Sequence, residues 1–380
     1  MKTEENNPFL IKGYGGKDLF CDREKELAIL LDNCRNGADT TLISLRRMGK
    51  TGLILRLFDE LLTTHSGITP IYVDIYATRS LADFIECTAE AVMKSVPKKT
   101  TVWQRFWEFV KGLRPQVSYD SISGDPSISL TYQTEQEKVN TLSSIFEFLD
   151  KQNMRFVMAY DEFQQIREYP ENNVEAILRT HIQQLKNVNF IFCGSKKHLM
   201  ADIFANAKKP FYSSTSFLSL DKISEESYTE FIKRLFSENN RDISDEAVQQ
   251  ILQWTSRYTF YTQNLCHKIY SMGIKDVKET DVMQAAKSIL EQSESYFLQY
   301  RSMLTDHQWS YLIAVAKEQE VEKITAQNFL TKHNIGSAAT SRRLLQSLLE
   351  KELIVANVGT KSTTYSVYDI FLKHWLRNTY

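Results

Sequence analysis

The first clear pattern along the chain is Thr40-Thr41-Leu42-Ile43-Ser44-Leu45, a short β-branched and apolar run. Arg46-Arg47-Met48-Gly49-Lys50-Thr51 follows at once, and then Leu53, Ile54, Leu57, Leu61 and Leu62 recur at helical spacing, so the segment reads strand, loop, helix. Three further apolar runs, Pro70 to Asp74, Arg155 to Asp161 and Val188 to Cys193, predict strands of the parallel kind, buried on both faces. Helical stretches separate them. The alternation predicts a doubly wound α/β layer, a parallel sheet with helices on both faces, reaching to about residue 220. Between the second and third strands, residues 95–135 carry Trp103, Phe106, Trp107 and Phe109 and then a turn at Ser123-Gly124-Asp125-Pro126. They predict a surface helix and a small hairpin.

Beyond Ile223 the period changes. Phe231, Ile232, Leu235 and Phe236, then Val248, Ile251 and Leu252, then Leu265 and Ile269 fall at helix spacing, and no convincing strand is legible up to Ser295. This predicts an all-helical subdomain over 221–295, with helix starts at Ser244-Asp245-Glu246 and Thr280-Asp281. The remaining stretch, 296–380, reads as helices near His307–Ala316, Thr325–Lys332 and Ser337–Lys351. Two β-like runs follow, Leu353 to Val358 and Thr363 to Tyr368, joined through Gly359-Thr360-Lys361. Three helices and a hairpin predict a winged helix-turn-helix domain.

Composition narrows the class. The 13 glycines and 7 prolines in 380 residues leave few breakers and favour long helices. Hydrophobic residues make up 42% and charged residues 24%, with a formal charge of -1, which excludes disordered, collagen-like and coiled-coil chains and argues against bulk electrostatic binding of nucleic acid. The five cysteines, Cys21, Cys34, Cys87, Cys193 and Cys266, are odd in number, scattered and never form Cys-x-x-Cys, so neither a disulfide frame nor a zinc site is signalled. No apolar run is long enough for a membrane span, and the polar start Met1 to Asn7 has no signal core behind it. A cytoplasmic protein without membrane contact is expected.

The sharpest chemistry lies in Ser44-Leu45-Arg46-Arg47-Met48-Gly49-Lys50-Thr51, which fits the phosphate-loop pattern G-x-x-x-x-G-K-[ST] except for Ser44 in the first glycine position. Such a loop wraps a phosphate at a helix N-terminus, with lysine reaching the β/γ oxygens and the hydroxyl offered to Mg2+. Arg46 to Gly52 are therefore candidate ATP-binding residues, and Lys50 also counts as catalytic. About 110 residues later an apolar strand ends in Asp161-Glu162, as a Walker B motif does. Asp161 with Thr51 is the candidate Mg2+ pair, and Glu162 the residue that orients and polarises the attacking water. Ser195, after the strand Phe190 to Cys193, stands where a sensor of the γ-phosphate would sit, though strand ends of this kind are common.

Together with Phe20-Cys21-Asp22-Arg23-Glu24-Lys25-Glu26-Leu27 before the loop and Asp161-Glu162-Phe163-Gln164 after it, the chain resembles the archaeal-type ATPases of the AAA+/STAND group of P-loop NTPases. Lys209-Pro210-Phe211-Tyr212 is similar to that family's Arg-Pro-Phe-Tyr stretch, and Arg257 to Gln263 to its lid segment Gly-x-Pro-x-Tyr-x-Gln. The resemblance covers nearly the whole chain. It implies a nucleotide-binding core, a helical lid and a C-terminal winged helix, with Asp22 and Arg23 near the adenine or ribose. Ser44 for glycine, Lys209 for arginine and Thr259 for the lid proline depart from the pattern. Lysine lacks the planar fork of an arginine finger, a gap that Arg46 or Arg47 could partly fill.

Residues 298–380 hold ten Lys/Arg against seven acids. Arg342 and Arg343 on the third helix and Lys361 on the wing are of the type that contacts DNA phosphates and base edges. Winged helices also dock proteins or other parts of their own chain, and the acidic stretch Glu318-Gln319-Glu320-Val321-Glu322 weighs toward that alternative. The expected function is a Mg-dependent, slowly hydrolysing ATP switch coupled to the winged helix, binding ATP or ADP and a DNA or protein partner. The alternative is a nucleotide-held scaffold or regulator with negligible turnover.

Overall fold

The computed structural model describes residues 7–64, 66–96, 100–112, 116–119, 126–359 and 362–380. They form two compact units, Lys12–Ile223 and residues 7–11 with Ser224–Tyr380. In the first, the chain runs α1 (Glu24–Asn36), β1 (Thr40–Ile43), α2 (Lys50–Thr63), β2 (Ile68–Asp74), α3 (Leu81–Ser95), α4 (Thr101–Gly112), β3 (Gln116–Tyr119), β4 (Pro126–Ser129), α5 (Glu135–Asp150), β5 (Arg155–Asp161), α6 (Val174–Ile182), β6 (Val188–Gly194), α7 (Lys197–Ala205) and β7 (Ser216–Ser219). Strands β2-β5-β6-β1-β7 make one sheet in that order, and every pairing is parallel.

Alternation along the strands builds the layers. Phe156, Met158 and Tyr160 of β5 and Phe190 and Phe192 of β6 pack into one core with α3, α5, α6 and α7. Val157, Ala159, Ile191 and Cys193 turn the other way, against Leu30 of α1 and Leu53, Ile54 and Leu57 of α2. Period-2 side chains thus cover both faces, which is why these strands read as unbroken apolar runs. Leu62, counted among the helix-spaced residues, is instead 59% exposed, because it lies off the buried stripe of α2. The excursion holds the expected helix α4 and hairpin β3-β4, although α4 is no mere surface helix. Phe106 and Val110 are fully buried and Trp103 and Trp107 stack at 5.9 Å against the core. The turn at Ser123-Gly124-Asp125 lies outside the described residues.

The topology fixes where chemistry can sit. Parallel strands end at one edge, and β6 lies between β5 and β1. Whatever follows β1, β5 and β6 therefore converges, as ligand sites do at the carboxyl ends of doubly wound sheets. Strand β7 and helix α1 were unread in the sequence: β7, four residues long with one buried, forms the sheet edge beside β1, and α1 packs with α2 on one face.

The second unit continues with α8 (Glu225–Ser237), β8 (Asp242–Ile243), α9 (Asp245–Trp254), α10 (Thr259–Ser271), β9 (Asp276–Val277), α11 (Glu279–Met303), α12 (Asp306–Glu318), α13 (Gln327–Lys332), α14 (Ala338–Glu350), β10 (Ile354–Val358), β11 (Thr363–Val367) and α15 (Ile370–Thr379). Ser244 caps α9 through the Ala247 N–H at 3.2 Å, as its position predicts. The all-helical expectation needs one correction: β8 and β9 pair in parallel over two residues each. A single buried apolar residue per strand, Ile243 or Val277, leaves no period to read. The winged helix has its three helices and its hairpin, with Leu344, Leu345 and Leu348 of α14 inward. It also has a helix the sequence reading missed, α15, capped by Asp369 and burying Ile370, Phe371, Leu372, Trp375 and Leu376. Asp369 directly before that apolar run was the signal. Among the described residues no helix is long and apolar enough to cross a membrane.

His374 on α15 lies flat on Trp254 at 4.3 Å and bonds the Trp254 carbonyl through Nε2 at 2.8 Å. Burial, with lesser help from Lys373 and Arg377, pushes its imidazole down to about 4. A folded-state value below the ordinary 6.5 means that protonation favours unfolding, so this unit loses stability as pH falls from about 6.5 toward 4, by roughly 3 kcal/mol at most. Thermal melts between pH 7.5 and 4.5 check this. His374→Phe is expected to flatten the acid slope, and an unchanged slope would clear His374 of the effect.

Candidate nucleotide site

The loop between β1 and α2 turns on two left-handed residues, Arg47 at φ 68° and Gly49 at φ 90°. Ser44 is not among the positive-φ residues. It therefore meets no backbone penalty for replacing glycine, and its buried hydroxyl donates to the Leu45 carbonyl at 2.9 Å. Met48 is buried, Arg47 exposed, and the Gly52 Cα lies so close to the Phe20 ring that an added Cβ would stand 3.3 Å from it. Lys50 and Thr51 open α2, with Lys50 only 6% exposed.

Across the edge, β5 delivers Asp161 and Glu162. Thr51 Oγ1 donates to Asp161 Oδ2 at 2.8 Å, and Lys50 Nζ lies 3.8 Å from Glu162 Oε1. Ser195, just beyond β6, donates to Glu162 Oε2 at 2.7 Å and accepts from Arg46 Nε at 3.3 Å. The structure thus joins Arg46, Lys50, Thr51, Asp161, Glu162 and Ser195 in one cluster. A hydroxyl and a carboxylate side by side are hard oxygen donors, the limited protein share that Mg2+ takes when phosphates and waters fill its other positions. The residues present fit the ion, and Thr51 and Asp161 would hold it.

Asp22 and Arg23 fall elsewhere in their bonding. Both are left-handed, at φ 59° and 78°. Arg23 is buried, paired to Glu26 at 2.7 Å and donating to the Asp221 carbonyl at 2.6 Å. It ties the start of α1 to the chain leaving β7. Lys209 sits 3.4 Å from Glu175 and 3.8 Å from Asp202, carboxylates that Arg167 shares at 2.7 and 3.0 Å. Thr259 is the first residue of α10, a helix position that proline or threonine can occupy because its N–H needs no partner within the helix.

Three more residues meet this cluster without having been given a role from the sequence, although Gln164 stands in the Asp161-Glu162-Phe163-Gln164 motif. Tyr72 donates to Asp161 Oδ2 at 2.8 Å, and burial first, then the Asp161 charge, pushes its phenol up. Asp74, in register with Asp161, is exposed at the strand end, and partial desolvation by its surroundings, then Asp161 and Glu162, raise its carboxyl against the Tyr76 N–H bond. Gln164 is buried and donates from Nε2 to Glu162 Oε2. Only cross-strand register brings the first two in. Arg342 and Arg343 are exposed on α14, and Lys361 lies outside the described residues.

Residues 20–257 match a family described as an ATPase domain predominantly from Archaea, and residues 295–378 one described as a probable winged helix domain. The Walker-type ATPase PABY2304 of Pyrococcus abyssi is similar in fold, with TM-score 0.63, 18% identity and 97% and 99% of the two chains covered. The Aeropyrum pernix ORC2 protein, solved as ADPNP–ADP complexes, follows at 0.58, 13%, 99% and 97%. The Aeropyrum pernix ORC1 protein, solved with DNA, stands at 0.54, 13%, 96% and 94%. No protein of curated function matches the chain by sequence. These matches reach the ATPase family and do not extend to the STAND branch of the resemblance.

Proposed function

The chain belongs to the family of ATPase domains found predominantly in Archaea, and we propose that it binds ATP with Mg2+ on Arg46–Gly52 and hydrolyses it slowly as a switch. The observation that carries this is the meeting of Thr51 with Asp161 at 2.8 Å and of Lys50 with Glu162 at 3.8 Å on one sheet edge. Lys50 would bind the β/γ oxygens, and Ser195 would sense the terminal phosphate. Mg2+, held by Thr51 and Asp161, would supply charge neutralisation at the phosphates. Glu162 would orient a water toward the terminal phosphorus and draw off its proton, while the electrons of the breaking P–O bond leave with ADP. Asp22 and Arg23 remain our candidates for the adenine or ribose side, Arg23 through its backbone because its guanidinium is engaged. In this reading a core to about 220, a lid to about 295 and the winged helix work as three parts in the cytoplasm.

ATP affinity measured with and without Mg2+ tests the core of the proposal. Tighter binding with the metal is expected, and no binding under either condition would remove it.

A second reading, a nucleotide-held regulator with little turnover that binds DNA or a protein, draws support from exposed Arg342 and Arg343 and from the DNA complex of the ORC1 protein. Duplex titration at two salt concentrations separates the partners. Phosphate contacts weaken with salt, and losing two of them should lower the salt slope by about two. If Arg342→Ala/Arg343→Ala binds duplex as the wild type does, α14 is not the DNA-contacting helix, and a protein partner or another part of the chain takes its place.

A further inference from the structure

The Glu162 carboxylate is gripped from one side. Its Oε2 accepts from Ser195 Oγ at 2.7 Å and also from the Gln164 side-chain amide, while Oε1 lies 3.8 Å from Lys50 Nζ. A carboxylate facing two donors can only accept, so Gln164 must present its nitrogen and turn its carbonyl away. That carbonyl is buried and meets no donor. It rests on bare backbone: a Cβ at Gly194 would stand 2.5 Å from it and 2.4 Å from Met200, so only glycine at 194 leaves room for the amide.

Two unfavourable features therefore meet at this contact, one on Gln164 and one on Glu162. A buried acceptor without a partner is destabilising. Glu162 itself is left-handed at φ 55°, a backbone state that L residues with side chains disfavour. The hydrogen bond to Glu162 is the return that Gln164 makes on the first, and the turn that aims the Glu162 carboxylate back at Lys50 is the return on the second. Strain of this kind gathers at functional sites.

We propose that Gln164 is a positioning residue for hydrolysis: with Ser195 it fixes Oε2 of Glu162, so that Oε1 is the oxygen presented on the Lys50 side, where the water would be taken. This rests on the reading of Glu162 as the water-orienting group. Gln164 touches neither nucleotide nor water in this scheme. It acts only through Glu162, and Arg46 reaches the same carboxylate through Ser195 from the loop side.

The test is a cycle of Gln164→Met and Glu162→Gln, read by steady-state phosphate release and by ATP affinity. Gln164→Met keeps the volume and loses the amide. It should hold ATP as the wild type does, lower kcat on the order of tenfold, and have no further effect in the Glu162→Gln background. A wild-type kcat in Gln164→Met, or a loss that multiplies fully onto that of Glu162→Gln, overturns the proposal. If Glu162→Gln itself turns over like the wild type, it is the role of Glu162 that fails, and the clamp on it falls with it. Gln164→Glu covers the case in which the methionine variant does not fold. A second carboxylate cannot donate to Glu162 Oε2, so this variant too should lower kcat on the order of tenfold with ATP still bound. A wild-type kcat in it overturns the proposal.

Discussion

Glu162→Gln is expected to slow steady-state phosphate release by about 10²–10⁴-fold, the usual worth of a positioned general base, while ATP binding changes little. The substitution keeps the shape and removes the charge that would take the water's proton. It also disturbs the grip on that side chain, because Ser195 and Gln164 both donate to Glu162 Oε2 and an amide offers only one acceptor oxygen. Phosphate release and ATP affinity measured on the same preparation separate chemistry from binding. Equal release by both proteins would mean that Glu162 takes no part in hydrolysis, and the regulator with little turnover would become the better account.

Lys50→Ala is expected to weaken ATP binding by roughly a hundredfold, since charge-assisted contacts to phosphate are worth about 1.5–3 kcal/mol each. Lys50 is buried beside Glu162, so its ammonium also balances that carboxylate before any nucleotide arrives. Removing it leaves a partly buried acid without its cation, and a lower melting temperature should accompany the lost affinity. Titration of ATP into both proteins, with melting curves as the control for folding, checks the two effects. Unchanged affinity would show that the loop does not hold phosphate through Lys50.

Much of the site was legible because its parts are local. Gly49-Lys50-Thr51 must follow a strand and open a helix, and Asp161-Glu162 must end a buried strand, so each motif carries its context within a dozen residues. The apolar runs of β5 and β6 likewise announced strands covered on both faces. What escaped was short or relational. Strands β8 and β9 are too brief for any period, and α15 follows the hairpin with which a three-helix winged helix is already complete. Tyr72 and Asp74 read as ordinary strand residues, since nothing in their own segment points to Asp161. The sequence departures also changed meaning: Ser44 meets no left-handed backbone, since the loop's turns of that kind fall at Arg47 and Gly49, while Lys209 is paired with Glu175 and Asp202.

The sequence by itself determined the family, the order of core, helices and winged helix, and the residue types that phosphate and metal chemistry require. Those follow from periodicity and from motifs in which neighbours along the chain are neighbours in space. The strand order, which sets β6 between β5 and β1, was decided only by the tertiary structure. From that order come the meeting of Ser195 with Glu162, the register of Asp74 with Asp161, and the seat of the Gln164 amide on Gly194. The physical reason is that a parallel sheet brings its strand ends to one edge whatever their separation along the chain, and side-chain contacts across that edge leave no trace in local pattern.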